Sequence, residues 1–124
     1  PILIYLAALG IGNIGIIDHD KVDLSNLHRQ ILFETNDLKK QKSKIASQKI
    51  KKINSDIKVS YYQEKLIHNN IDKIAKKYSV LVDGSDNFKT KFLINDYAVK
   101  NKKILITGHT GFKGSYKAKS KICK

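Results

Sequence analysis

Asn13-Ile14-Gly15-Ile16-Ile17-Asp18 is a short apolar run that closes on an acid. It reads as a central parallel strand with a carboxylate at its carboxyl end. Upstream, Pro1 to Leu9 (PILIYLAAL) has proline where a first helical turn tolerates it, an apolar body, and a natural helix stop in Gly10. The first residues are therefore predicted to form a buried helix that turns into a buried strand.

Downstream, helix and strand signals alternate. Lys42 to Ile53 sets Ala46, Ile50 and Ile53 at helical spacing, with lysines on the other face as a solvated surface. Lys58 to Tyr62 is β-rich. Asn70 to Tyr78 places Ile71, Ile74, Ala75 and Tyr78 on one helical stripe, and Val80 to Val82 is another apolar run, ending in Asp83. Phe88 to Val99 is helical again, and Ile104 to Ile106 is strand-like before Gly108. This order predicts an α/β fold with a doubly wound, mainly parallel, Rossmann-like sheet. A strand and a glycine-rich turn normally precede the first helix in such folds, so the expected sheet is missing its first strand. With no internal repeat and no linker-like stretch, residues 1–124 are expected to form one domain. Gly111 to Lys124 is glycine-rich, then lysine-rich, and a hairpin or frayed tail is expected there.

At 124 residues and 41% hydrophobic content, the chain suits one small globular domain. The uncharged run Pro1 to Ile17 lacks a basic flank, contains three glycines and falls short of the ~18–20 residues of a membrane span. The net charge of +13 comes almost wholly from scattered lysines. It carries no aromatic-interleaved basic stretch or recognition helix, which argues against nucleic acid as the partner. An acidic protein or a polyphosphate fits the charge equally well. Cys123 is the only cysteine, which excludes an internal disulfide and a multi-cysteine zinc site, so a reducing cytoplasm is the default location. His19, His28, His68 and His109 show no metal-ligand spacing and read as surface or loop residues.

The densest pattern is Ile16-Ile17-Asp18-His19-Asp20-Lys21-Val22-Asp23-Leu24-Ser25-Asn26-Leu27-His28-Arg29-Gln30. Asp18 stands where a strand end meets a ligand crevice, a position from which an acid accepts hydrogen bonds from ribose hydroxyls. Taken alone it reads more readily as a solvent-exposed strand-end acid. Arg29 is the only arginine, and its planar fork is suited to clasping phosphate; Asn26 and Gln30 can supply neutral donors to the same oxygens. The competing reading of Arg29 is a surface ion pair with Glu34.

The string Asp-x-Asp-x-Val-x-x-Ser-Asn-Leu-x-Arg-Gln resembles the signature of the ThiF/MoeB family and the related ubiquitin-activating enzymes. The resemblance implies that Asp18, Ser25, Asn26, Arg29 and Gln30 make the ribose and phosphate contacts. It continues to Lys42, thirteen residues after Arg29 and twelve before Asn54, which is the family's spacing to its catalytic lysine and onward to an Ile-Asn pair, here Ile53-Asn54. Both spacings favour Lys42 over Lys44. The family usually has glycine where this chain has Lys39. Asp83-Gly84-Ser85-Asp86-Asn87 matches the family's Asp-x-x-Asp-Asn turn, implying that Asp86 holds Mg²⁺ on ATP and that Asn87 joins the nucleotide site. Asp86-Asn87 is also a plausible N-cap pair for the following helix, and the two readings are compatible. Lys91 to Asp96 resembles the family's next helix, with lysine in place of the more usual arginine at 91. Thr107-Gly108 with Gly111 and Gly114 resembles its later glycine-rich turn, one residue short.

The resemblance covers Pro1 to about Gly114, and Pro1 aligns just after the family's Gly-x-Gly-Gly-x-Gly phosphate loop. The chain is therefore expected to be a partial nucleotide-binding domain. The implied activity is ATP-dependent adenylylation of the C-terminal glycine carboxylate of a ubiquitin-like sulfur-carrier protein, in a thiamine or molybdopterin pathway, with release of pyrophosphate. Arg29, Lys42 and Asp86 are the implied catalytic residues, ATP and Mg²⁺ the cofactors, and a homodimer the implied state of the complete protein. Structural zinc and the reactive cysteine belong to a region further along than Cys123. Three alternatives stand beside this: a nicotinamide dehydrogenase sharing the fold and Asp18, a fragment acting only as a binding module, and nucleic-acid binding.

Overall fold

The computed structural model describes residues 1–108. The expectations for His109, the glycines at 111 and 114, Cys123 and the tail lie outside the described residues. The chain divides into two compact units, Pro1–Tyr78 and a second that begins at Ser79.

In the first unit the order is α1 (Ile2–Ala8), β1 (Asn13–Ile17), α2 (Lys42–Ile53), β2 (Lys58–Tyr62) and α3 (His68–Ala75), with short 3₁₀ turns at Leu24–Asn26 and Thr35–Asp37. Helix α1 stops as its sequence suggests. Gly10 takes φ +73°, the Gly10 amide donates to the Ala7 carbonyl and the Ile11 amide to the Leu6 carbonyl. A left-handed residue closing two backbone bonds in this way is the common glycine-based helix end. The Asn54 amide group donates to the Ala7 carbonyl at 3.1 Å and ties the end of α2 to the end of α1.

β1 and β2 pair in parallel with Ile14 opposite Val59 and Ile16 opposite Tyr61, and α2 makes the crossover between them. Ala7, Ile14, Ile16, Ala46, Ile50 and Ile57 form the core, flanked by Leu3, Leu6, Leu32, Phe33 and Val59. Each apolar group removed from water contributes about 25 cal/mol per Å², and α2 supplies Ala46 and Ile50 from one stripe. Ile53, predicted on that stripe, is exposed. Ile45 is buried in its place, along with Ser43 and Ser47, so the inward face of α2 runs from its first residues to Ile50.

α3 starts two residues before the predicted Asn70 and ends at Ala75. Asn70 Oδ1 accepts the Ile67 amide at 2.8 Å, which sets the earlier start. Ile71, Ile74 and Ala75 are buried as the stripe requires. Tyr78 lies beyond the helix, and its phenol ring occupies the space a side chain at Gly15 would need.

The second unit contains β3 (Val80–Asp83), α4 (Phe88–Lys100) and β4 (Ile104–Thr107). β3 and β4 pair in parallel, Val80 opposite Ile104 and Asp83 opposite Thr107. α4 contacts both strands and buries Leu93, Ile94, Tyr97 and Ala98. Asn87 caps the helix by accepting the Thr90 amide at 2.9 Å, the capping role available to it in the sequence. Each unit is thus a strand–helix–parallel-strand crossover, the building block of a doubly wound sheet. Among the described residues, no helix is long and apolar enough to cross a membrane.

Candidate functional site

The loop between β1 and α2 folds back on itself. The Val22 amide donates to the Lys40 carbonyl, the Lys39 amide to the Val22 carbonyl and the Lys42 amide to the Asp20 carbonyl, at 2.8, 2.9 and 3.0 Å. These bonds place the first residue of α2 beside the acids that follow β1. Lys39, at the family's glycine position, keeps a glycine-like backbone with φ 65°.

Lys42 is only 8% exposed, whereas Lys44 is exposed. Its ammonium donates to Asn26 Oδ1 at 3.1 Å and lies 4.0 Å from Asp20 Oδ2. Partial burial raises the Asp18 carboxyl above its ordinary range, against a downward pull from the Asp20 amide it accepts at 2.8 Å and from the Lys42 charge. Asp23 is held low, first by the Ser25 hydroxyl and then by the Ser25 amide. That Asx turn opens the 3₁₀ turn carrying Ser25 and Asn26. Asp18, His19 and Asp20 also bring three possible metal-ligand atoms within 4.8 Å of one another.

The structure therefore gathers Asp18, Ser25, Asn26 and Lys42 around one loop. Arg29 is exposed, and its Nη1 donates to the Ser25 carbonyl at 3.0 Å. It does not pair with Glu34, which accepts from Lys49 at 2.6 Å instead. Gln30 is partly buried, with Oε1 shielded from solvent. In the second unit Asp86 is exposed, and among the described residues its carboxylate has no hydrogen bond or ion pair. A free carboxylate in the turn three residues past the end of β3 suits Mg²⁺, which is usually bound through one or two carboxylates and substrate phosphates.

The pattern that defines the ThiF family matches residues 1–119. The chain belongs to the ThiF family. It is 44% identical over 108 residues to a probable molybdopterin-synthase adenylyltransferase of Porphyra purpurea, covering 87% of this chain and 28% of that protein. It is 40% identical, also over 108 residues, to a sulfur carrier protein adenylyltransferase of Thermus thermophilus, covering 87% of this chain and 40% of that one. The chain thus spans less than half the length of these relatives. Among solved structures, the E. coli tRNA N6-threonylcarbamoyladenosine dehydratase TcdA in complex with ATP superposes with a TM-score of 0.81 at 28% identity, over 85% of this chain and 44% of that one. E. coli MccB with ATP gives 0.73 at 31% identity, over 86% and 32%.

Two features of this ThiF-family chain escaped the sequence reading. One is a clip under the loop: Lys49 donates to both Glu34 and Asp37, and Asp37 Oδ2 accepts the Glu34 amide. Burial pushes the Asp37 carboxyl up, but Lys49 and that amide outweigh it and hold the group below its ordinary value. The other is Asp83, 3% exposed, which accepts from Ser85, Lys91 and Thr107. Its signal was present in the sequence. Asp83-x-Ser85 repeats the Asp23-x-Ser25 spacing, and both fold into the same Asx turn with hydroxyl and amide on one carboxylate oxygen.

Proposed function

We propose that this chain is the nucleotide-binding part of an adenylyltransferase that transfers AMP from ATP to the C-terminal glycine carboxylate of a ubiquitin-like sulfur-carrier protein, releasing pyrophosphate. Lys42 carries the reading. A lysine ammonium that is 8% exposed, fixed by one neutral hydrogen bond at the mouth of the loop and with a carboxylate no nearer than 4.0 Å, is suited to a phosphate.

In this reading Asp18 orients the ribose, Ser25, Asn26 and Gln30 contact the nucleotide, and Arg29 turns from the Ser25 carbonyl to a phosphate. Lys42 offers a point charge to the α-phosphate as negative charge moves to pyrophosphate. Asp86, beside Asn87, holds Mg²⁺, which supplies charge neutralisation on the phosphates. The chain's own groups position and neutralise, and perform no covalent step.

The names of the relatives in sequence favour a sulfur carrier as the carboxylate substrate, and the nucleotide in TcdA and MccB supports ATP. The reading carries a cytoplasmic homodimer for the complete enzyme. ATP–pyrophosphate exchange by the complete enzyme, dependent on a carrier with a C-terminal glycine, is the test, run with thiamine-type and molybdopterin-type carriers side by side. No exchange with either, or exchange retained after Lys42→Ala, would sink the proposal.

A further inference from the structure

The Asp83-Gly84-Ser85-Asp86-Asn87 turn holds two aspartates in opposite circumstances. Asp83 Oδ1 accepts the Ser85 amide at 2.9 Å and the Ser85 hydroxyl at 2.6 Å, while Oδ2 accepts Lys91 Nζ at 2.9 Å and the Thr107 hydroxyl at 3.0 Å. A carboxylate offers about four lone-pair sites, so Asp83 is fully engaged. It is also 3% exposed. Asp86 is exposed, with its carboxylate unbonded among the described residues.

Asp86 nevertheless sits on fixed backbone. Ser85, before it, is clamped by Asp83, and Asn87, after it, is fixed as the cap of α4. Asp83 in turn joins three elements, since it ends β3, receives Lys91 from α4 and receives Thr107 from β4. A buried carboxylate without a counter-charge would be costly, and Lys91 supplies that charge. We propose that Asp83 and Lys91 are a positioning pair that presets the turn, leaving metal contact to Asp86 alone; the metal role of Asp86 rests on the function proposed above.

The test uses the full chain with Mn²⁺ and ATP as probes, Mn²⁺ binding being read by electron paramagnetic resonance and Ser85 amide exchange by NMR. Asp83→Asn and Lys91→Met are expected to speed Ser85 exchange and to weaken Mn²⁺ binding in the presence of ATP by about tenfold, the usual scale for losing a residue that orients a metal ligand. ATP affinity measured without metal stays unchanged, and Lys91→Arg restores both readouts. Should Asp83→Asn fail to fold, Lys91→Met and the milder Thr107→Val carry the same expectation. Wild-type Ser85 exchange in Lys91→Met, or no recovery with Lys91→Arg, overturns the pair. If Ser85 responds as stated but Asp86→Ala leaves Mn²⁺ binding intact, or the wild-type chain binds no Mn²⁺ with ATP, the preset turn stands. What falls then is the metal role of Asp86, while the proposed function is decided separately by the exchange assay.

Discussion

The Lys42 ammonium donates to Asn26 Oδ1 at 3.1 Å, joining the first residue of α2 to the 3₁₀ turn sixteen residues earlier. This bond, the 4.0 Å approach of Asp20 and the nearby charges of Asp18 and Asp23 compensate a cation that is 8% exposed. Lys42→Met is therefore expected to lower folding stability by about 1 kcal/mol, because it leaves the Asn26 oxygen and the partly buried Asp18 without their partner. Asn26→Ala, which leaves the charge and removes its acceptor, is expected to cost about 1–2 kcal/mol. Urea denaturation of the two variants reads both losses. An unchanged or higher midpoint for Lys42→Met would show that these contacts add no net stability.

Acid should loosen the loop through Asp37. Its folded-state pKa is depressed, so its contribution is fully present above the unfolded value of about 3.9 and is lost as pH falls through the folded value. Asp37→Asn is expected to be less stable than wild type at neutral pH, with the gap narrowing once the pH drops below about 3.9. Melting temperatures across that range decide the point, and a constant gap would detach Asp37 from the acid transition.

Lys39 adopts φ 65° in the middle of the loop's backbone pairing. A side chain in that left-handed region costs roughly 1 kcal/mol, which glycine avoids. Lys39→Gly should stabilise the fold by at most about 0.5 kcal/mol after allowing for the greater freedom of glycine in the unfolded chain. The measurement is the urea midpoint at unchanged slope. A fall in the midpoint would mean that the lysine side chain contributes more than its backbone costs.

The raised carboxyl of Asp18 gives the proposed ribose contact a pH signature. A carboxylate accepts from two hydroxyls better than a protonated acid does. ATP affinity should therefore decline on acidification at a pH above the ordinary carboxylate value of about 3.9, and Asp18→Asn should bind more weakly with that decline removed. Calorimetric titration at several pH values is the check; the same decline in Asp18→Asn would assign it to another group.

Local signals were strong enough to read most of the architecture. The bounds of α2 and β2 came directly from helical spacing and from the strand-favouring Val59, Tyr61 and Tyr62, and Gly10 marked the end of α1 through the backbone angle only glycine adopts freely. The overrun of α3 has a clear cause. Tyr78 continues the helical stripe in spacing, but its amide donates to the Ala75 carbonyl in a tighter turn and its ring goes to β1. Around the site, motif spacing singled out Asp18, Asn26 and Lys42. The pairing of Lys42 with Asn26 and Asp20 was not legible, nor was that of Lys49 with Glu34 and Asp37. Such pairs form between residues that come together only when the loop closes, and in a lysine-rich chain nothing in one dimension says which lysine meets which acid.

Gly15 and Tyr78 have an optical consequence. The chain has no tryptophan and six tyrosines, so its near-ultraviolet absorbance is phenolic. Tyr78 fills the notch over β1 at Gly15, and burial, followed by its hydrogen bond with Tyr62, lifts its phenol above the ordinary value. In an alkaline absorbance titration this ring should turn to phenolate late, and its ultraviolet difference signal would report directly on whether the first strand pair is still assembled.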